Sequence, residues 1–191
     1  MSKIVNTPLT DEVVNDLKAG DRVLLNGIIY TGRDAAHKRL VELINKGEDL
    51  PMDIKNQIIY YVGPCPAKPG QAIGSAGPTT SGRMDAYAPL LMEHGLKGMI
   101  GKGLRNQHVV DSIMKENCVY FAAIGGAGAL LAEAIKEAEV IAFPDLGAEA
   151  IYKLRVENFP VTVIIDNKGN DLYKIGKEQF KIVKGRYELC H

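Results

Sequence analysis

The chain has 191 residues, 46% of them hydrophobic, with 23 basic and 23 acidic side chains. That is enough apolar material for a packed core and too much for wholesale disorder. The zero net charge argues against a broad nucleic-acid or anionic-membrane surface, so any cation cluster must be local.

The first twelve residues, MSKIVNTPLTDE, lack the basic-then-apolar pattern of a secretion signal, and glycines cut every apolar run short of a membrane span. A soluble, intracellular and specifically cytoplasmic protein is expected. Thr10-Asp11-Glu12 opens a helix with Val13, Val14 and Leu17 on one face, closed at Gly20. DRVLLNGIIYTG is strand material interrupted at Asn26-Gly27, read as one kinked strand rather than a hairpin. RDAAHKRLVELINKG is a helix whose stripe is Ala36, Leu40, Leu43 and Ile44, ended by Gly47.

IIYYVG is a short strand, and GPCPAKPGQAIGSAGP is loop or irregular strand. SGRMDAYAPLLMEHG reads as a helix that Pro89 kinks or shortens. Lys97 to Ile100 is a strand, NQHVVDSIMKEN a helix, CVYFAAIGG a buried strand and AGALLAEAIKEA a helix. The tail departs from this alternation. There YKLRVENF and VTVIID are strand-like, and Asn167-Lys168-Gly169 is a turn leading to DLY. The pattern predicts one α/β domain over residues 1–191 with an antiparallel, strand-rich C-terminal part.

Four places carry possible chemistry, each with a plainer reading beside it. Gly101-Lys102-Gly103 follows a strand but fails the phosphate-loop pattern, with Leu96 and Gly103 at the required glycine and hydroxyl positions. Lys102 could reach an anion between two side-chain-free neighbours, or the segment could be a flexible turn. Gly126-x-Gly128 after CVYFAAIGG has the outline of a dinucleotide site without its third glycine; close helix-on-strand packing explains it more simply. In GPTTSGRMDAY, Thr79 and Thr80 stand at the expected start of a helix. Arg83, four residues after Thr79, would share its face.

Hydroxyls, free N–H groups and a guanidinium together suit a carboxylate. The alternative is a helix cap with Arg83 paired to Asp85 or a neighbour. Arg33 stands where a strand hands over to a helix, with His37 one turn on as a supporting, surface or core residue. Three cations, Arg33, Arg83 and Lys102, thus lie beside glycines at element ends, and a doubly negative small molecule is the natural guest. Cys65, Cys118 and Cys190 are odd in number and far apart, which argues against a disulfide framework or a compact metal site on this chain.

GPTTSGRMDAYAPLLMEHGLKGMIGKG, with NGIIYTGRDAAHKRL before it and FPDLGAEAIYKLRVENFPVTVIIDNKGNDLY after it, resembles the beta subunit of class I fumarate hydratase. The same unit forms the C-terminal half of single-chain class I fumarases and the beta subunit of L-tartrate dehydratase. The resemblance runs from about Asp21 to Tyr173. It implies a swivelling β/β/α domain and trans hydration of fumarate to L-malate. It also implies a [4Fe-4S] cluster whose cysteine ligands belong to a partner alpha subunit, with no metal held by this chain.

By motif, Arg33, Arg83 and Lys102 look like ligands of the substrate carboxylates, Thr80 like a further substrate contact, and Thr79 like the base at C3. A threonine hydroxyl needs strong electrostatic help for that task, and a water or a partner residue could serve instead, with Thr79 positioning it. Gly82 resembles the fumarase version of the motif more than the tartrate version, which makes fumarate the expected substrate and tartrate the alternative. A non-catalytic dicarboxylate-binding module and a nucleotide-binding α/β domain are the readings from other classes.

Overall fold

A computed structural model describes residues 2–123 and 128–179. Seven strands, β1 (Lys3–Asn6), β2 (Arg22–Thr31), β3 (Ile58–Tyr60), β4 (Gly98–Gly101), β5 (Val119–Ala122), β6 (Ile135–Ala142) and β7 (Ile151–Ile165), form one mixed sheet. Strands β1 to β5 pair in parallel, and β7 runs antiparallel to β2, β5 and β6. Because β7 hydrogen-bonds to β2 along one edge and to β5 near its end, the pairing β2–β3–β4–β5–β7 closes on itself. Helices α1 (Asp11–Asp16), α2 (Asp34–Lys46), α3 (Ala88–Glu93), α4 (Gln107–Lys115), α5 (Gly128–Glu133) and α6 (Leu172–Gln179) complete the fold.

The alternation of the short parallel strands explains the layers. Ile58, Tyr60, Ile100, Val119 and Phe121 point inward to Leu25, Ile29, Leu154, Phe159 and Val163 of the antiparallel side. Ile59, Tyr61, Met99, Cys118 and Tyr120 point outward to Ala36 and Leu40 of α2, Leu91 and Met92 of α3, and Val109, Val110 and Ile113 of α4. Both faces of β3, β4 and β5 are therefore dry, which is why these strands are continuously apolar. The result is a mixed α/β fold, a strand-rich mixed sheet closed around one apolar interior with helices outside, in line with the mixed-sheet α/β expectation.

The kink at Asn26-Gly27 is present. The β2–β7 register shifts between Leu25 and Gly27, Gly27 takes φ +114°, and the Asn158 N–H donates to Asn26 Oδ1 at 2.9 Å. An L side chain would be strained at Gly27, and the bulge turns β7 from β6 as its outer neighbour to β5.

Several expectations fail for identifiable reasons. Thr10 does cap α1, accepting from Val13 N–H at 3.3 Å, but the helix ends at Leu17 rather than Gly20. β1, whose Ile4 is 70% exposed, has too little apolar alternation to be seen in advance. AGALLAEAIKEA is helical only to Glu133; from Ile135 the chain is β6, an edge strand whose charges face water. The turn at Asn167-Lys168-Gly169 is present and returns the chain to a single antiparallel bridge, Ile165↔Asp171, after which α6 begins at Leu172. YKLRVENF and VTVIID belong to one strand, β7, continuous through Asn158 and Pro160. Gly126 and Cys190, with the end of the CVYFAAIGG stretch, lie outside the described residues. Among the described residues no helix is long and apolar enough to cross a membrane.

Candidate active site

The carboxyl ends of β2, β3 and β4 lie side by side, joined by Thr31↔Tyr60 and Tyr60↔Ile100 pairing. Each predicted cation follows one of these ends or packs on the segment that does. Arg33 comes two residues after the end of β2 and immediately precedes α2; Lys102 comes directly after β4. The Thr79-Thr80-Ser81 segment returns to the same rim as an extra strand-like stretch. Thr79 N–H donates to Tyr61 O at 2.7 Å, Lys102 N–H to Thr79 O at 3.3 Å, and Ser81 N–H to Lys102 O at 2.8 Å. Thr80 and Lys102 are thereby bridged in parallel.

This geometry corrects how the site assembles. Thr79 is not helical, and Thr80 after it is extended. A four-residue 3-10 helix, Ser81–Met84, follows it, and the α-helix begins only at Ala88 with Pro89 in its first turn. Thr79 and Arg83 thus do not share a helical face, and no α-helix N-terminus points out at Thr79. Thr79 is half-buried, while Thr80, Gly82 and Lys102 are exposed. Lys102 makes no ion pair with any described residue.

Two carboxylates, neither expected, enter the rim. Arg83 Nε donates to Asp34 Oδ1 at 2.8 Å, so the arginine pairs with Asp34 and not with Asp85. Arg33 Nη2 stands 3.3 Å from Glu149 Oε1, and its Nε stands 3.8 Å from Asp34 Oδ2. Glu149 Oε2 accepts from Ala35 N–H at 3.1 Å, so the protein's own carboxylate fills the anion position at the start of α2. Arg33 is mostly covered; Arg83, with 53% of its side chain exposed, is open.

The Fumarase C-terminus family matches residues 2–176 of this sequence. The chain belongs to that family. It is 48% identical over 155 residues to "Fumarate hydratase class I, anaerobic" of Escherichia coli, a match covering 80% of this chain and 28% of that protein. It is 45% identical over 156 residues to "Fumarate hydratase 2" of Leishmania major, covering 81% of this chain and 28% of the relative. The chain thus spans less than a third of the length of these two. It is also 40% identical over 172 residues to "Putative L(+)-tartrate dehydratase subunit beta" of Methanocaldococcus jannaschii, covering 87% of this chain and 88% of that one.

Beneath the rim of this fumarase-family chain lies a buried polar layer to which neither periodicity nor motif pointed. Asp85, at the end of the 3-10 helix, accepts from Arg105 Nε at 2.5 Å and from Asn106 N–H at 2.7 Å. The Arg105 guanidinium lies 5.5 Å from the Tyr61 ring centre and 5.0 Å from that of Tyr120. Tyr120 donates to Gly103 O at 2.9 Å and meets Ser81 Oγ at 2.9 Å. This hydroxyl ties the Thr79–Ser81 segment to the Lys102–Gly103 segment. Burial holds the Tyr61 and Tyr120 phenols above their ordinary range. A Cβ at Gly101 would collide with Ser81 Oγ, so glycine there is what lets the two segments close. By contrast, a Cβ at Gly82 would make only ordinary contact, 3.7 Å from Leu104 O.

His37 belongs to the same layer and is a core residue. It is fully buried, its Nδ1 donates to Arg33 O at 2.9 Å, and its ring meets Tyr61 edge-on at 5.2 Å. Burial lowers its pKa to about 4; the bond to Arg33 O opposes this, and the nearby Arg105 charge adds to it. The unfolded imidazole titrates near 6.5. Between these values the unfolded chain binds the extra proton, so stability rises with pH across that window and is lost as pH falls from 6.5 towards 4. The shift corresponds to about 3 kcal/mol. Urea denaturation of the chain at about pH 7 and about pH 4.5 should show this loss, and His37→Asn should flatten that part of the profile. An unchanged slope in the variant would remove His37 as the cause.

Proposed function

We propose that this chain, residues 1–191 acting as one domain, is the beta-type part of a hydro-lyase that interconverts fumarate and L-malate. The observation that carries the reading is the rim itself. Lys102 and Thr80 are bridged, Thr79 is locked beside them, and Arg83 and Arg33 share Asp34. The fumarate hydratase names of the relatives supply the substrate class. Similarity to a protein named a beta subunit, over most of both chains, supports a two-chain arrangement.

Charge supports a partner as well. Three cations, Arg33, Arg83 and Lys102, stand with two carboxylates, Asp34 and Glu149. One net positive charge is left facing a dianion with two, so a second chain that adds positive charge would complete the site.

The donors of the described residues do not suit an iron–sulfur cluster. Among them no three His, Cys, Asp or Glu gather as a metal site. Cys118 is buried, donates to Leu96 O at 3.1 Å, and has its thiol pushed up to about 12 by burial. Cys65 is exposed. In this reading the [4Fe-4S] cluster belongs to a partner alpha subunit, and the assembly works in the cytoplasm. This chain's part is to hold and ionise the diacid. The outer nitrogens of Arg83 grip one carboxylate, with Lys102, Thr80 and Arg33 adding donors. Thr79 Oγ faces C3, either taking its proton or aligning the group that does. The same cations stabilise the aci-carboxylate that forms when the proton leaves.

Tartrate is the second reading, favoured by the near full-length match to the protein named for it. Neither backbone angle nor packing requires glycine at position 82. The room it leaves is in keeping with a site that does not grip an extra hydroxyl, which favours fumarate.

The test is anaerobic co-expression with a candidate alpha chain carrying three separated cysteines, followed by assay on malate, fumarate and tartrate. The chain alone should be inactive and the assembly should turn over fumarate and malate. Turnover by the iron-free chain alone would overturn the division of labour. An assembly that binds a diacid without converting it would establish the non-catalytic module instead.

A further inference from the structure

A site for a dianion should avoid anionic neighbours, yet Asp34 sits between its two arginines. Its Oδ1 accepts from Arg83 Nε at 2.8 Å, and its Oδ2, buried and without a hydrogen-bond partner, lies 3.8 Å from the equally unpartnered Arg33 Nε. The bond to Arg83 spans 49 positions of sequence and joins the start of α2 to the 3-10 helix. It uses the one guanidinium nitrogen that a bidentate grip on a carboxylate can spare. No described residue accepts from the two terminal nitrogens of Arg83.

An exposed arginine otherwise samples many rotamers. Pinning Nε fixes the plane of the group and the direction of its outer edge, and positioning of this kind governs how well a bound diacid meets its reacting partner. The plainer role for Asp34 is a first-turn acid that favours the α2 dipole. That role needs neither the bond to Arg83 nor a place facing Arg33.

We propose that Asp34 is a positioning residue for the hydration reaction, resting on the hydro-lyase reading: its carboxylate aims Arg83, with Arg33 on its other oxygen, at one carboxylate of the substrate. Asp34→Ser removes the acceptor while keeping a residue at home in a helix first turn. Asp34→Asn keeps an oxygen for Arg83 Nε and serves as the conservative rescue.

The test measures kcat and KM on fumarate and malate in the assembled enzyme for both variants, alone and combined with Arg83→Ala. Asp34→Ser should lower kcat/KM by about ten- to a hundredfold, the size of a lost orienting contact, with an unchanged melting midpoint. Asp34→Asn should recover most of that loss. In the Arg83→Ala background neither variant should have a further effect, because its target is gone. Wild-type kinetics for Asp34→Ser beside an impaired Arg83→Ala would overturn the assignment while leaving the hydro-lyase reading standing. So would losses that multiply in the double variant, the mark of a role independent of Arg83. If Asp34→Ser fails to fold, Asp34→Ala, which also removes the acceptor and favours the helix, replaces it under the same criterion. An assembled wild-type enzyme inactive on both diacids would overturn the reading and the assignment together.

Discussion

Arg83→Ala should cost the assembled enzyme about a thousandfold or more in kcat/KM, the scale on which removing one charge-stabilising donor acts, and leave the fold intact. The two halves of this expectation come from different facts. The side chain is half exposed, and its bond to Asp34 is a surface pair of a kind that contributes at most about 1 kcal/mol. Circular dichroism and the melting midpoint should therefore stay near wild type. Function is another matter, because the outer nitrogens of Arg83 donate to no described residue and are free for a carboxylate. Arg83→Lys should rescue little. A lysine restores the charge but not the planar fork, and it has no counterpart to the Nε that Asp34 holds. Activity of Arg83→Ala within about tenfold of wild type would remove Arg83 from the site. The reading of the rim as a carboxylate clamp would go with it.

The same residues show how far sequence reasoning reaches. The strands β3, β4 and β5 were legible because burial on both faces demands unbroken apolar runs such as Ile58 to Tyr60. The placement of Arg33 and Lys102 just past strand ends was legible because the apolar runs before them stop there. β6 was not, since an edge strand pairs on one side and can carry IKEAEV, a pattern with no burial constraint on half its residues. Helix periodicity misplaced Thr79. Its position is set by hydrogen bonds to Tyr61 and Lys102, 18 and 23 residues away, and no local rule encodes those. Asp34 and Glu149 escaped for the same reason. A carboxylate beside an arginine in sequence says nothing about which other arginine it will meet in space. The charged pair under the site was hidden too, although Asp85 lies two residues after Arg83 and Arg105 three after Lys102.

That buried pair carries a large expected stability effect. The Arg105 side chain is fully covered and that of Asp85 is 3% exposed. Each holds the other's charge away from water, with Asn106 N–H on the second oxygen and two tyrosine rings against the guanidinium. Arg105→Ala leaves Asp85 as an uncompensated buried carboxylate and opens a cavity between Tyr61 and Tyr120. The loss should be about 3–5 kcal/mol, the range for breaking a buried pair by removing one partner. For a chain of this size that lowers the melting midpoint by about 6–20 °C. Arg105→Met with Asp85→Leu should recover much of it, because an apolar pair of similar volume carries no desolvation cost. Activity should not recover in step. Asp85 ends the 3-10 helix that carries Arg83, and Arg105 follows the Lys102 segment by three residues, so the pair ties the two halves of the clamp from below. Thermal melts of wild type, both single variants and the double variant, with kcat/KM of each in the assembled enzyme, separate the two effects. An Arg105→Ala chain within about 1 kcal/mol of wild type would show that this charge is not confined as the structure has it. A double variant that regained stability and full activity together would show that the rim needs no such tie.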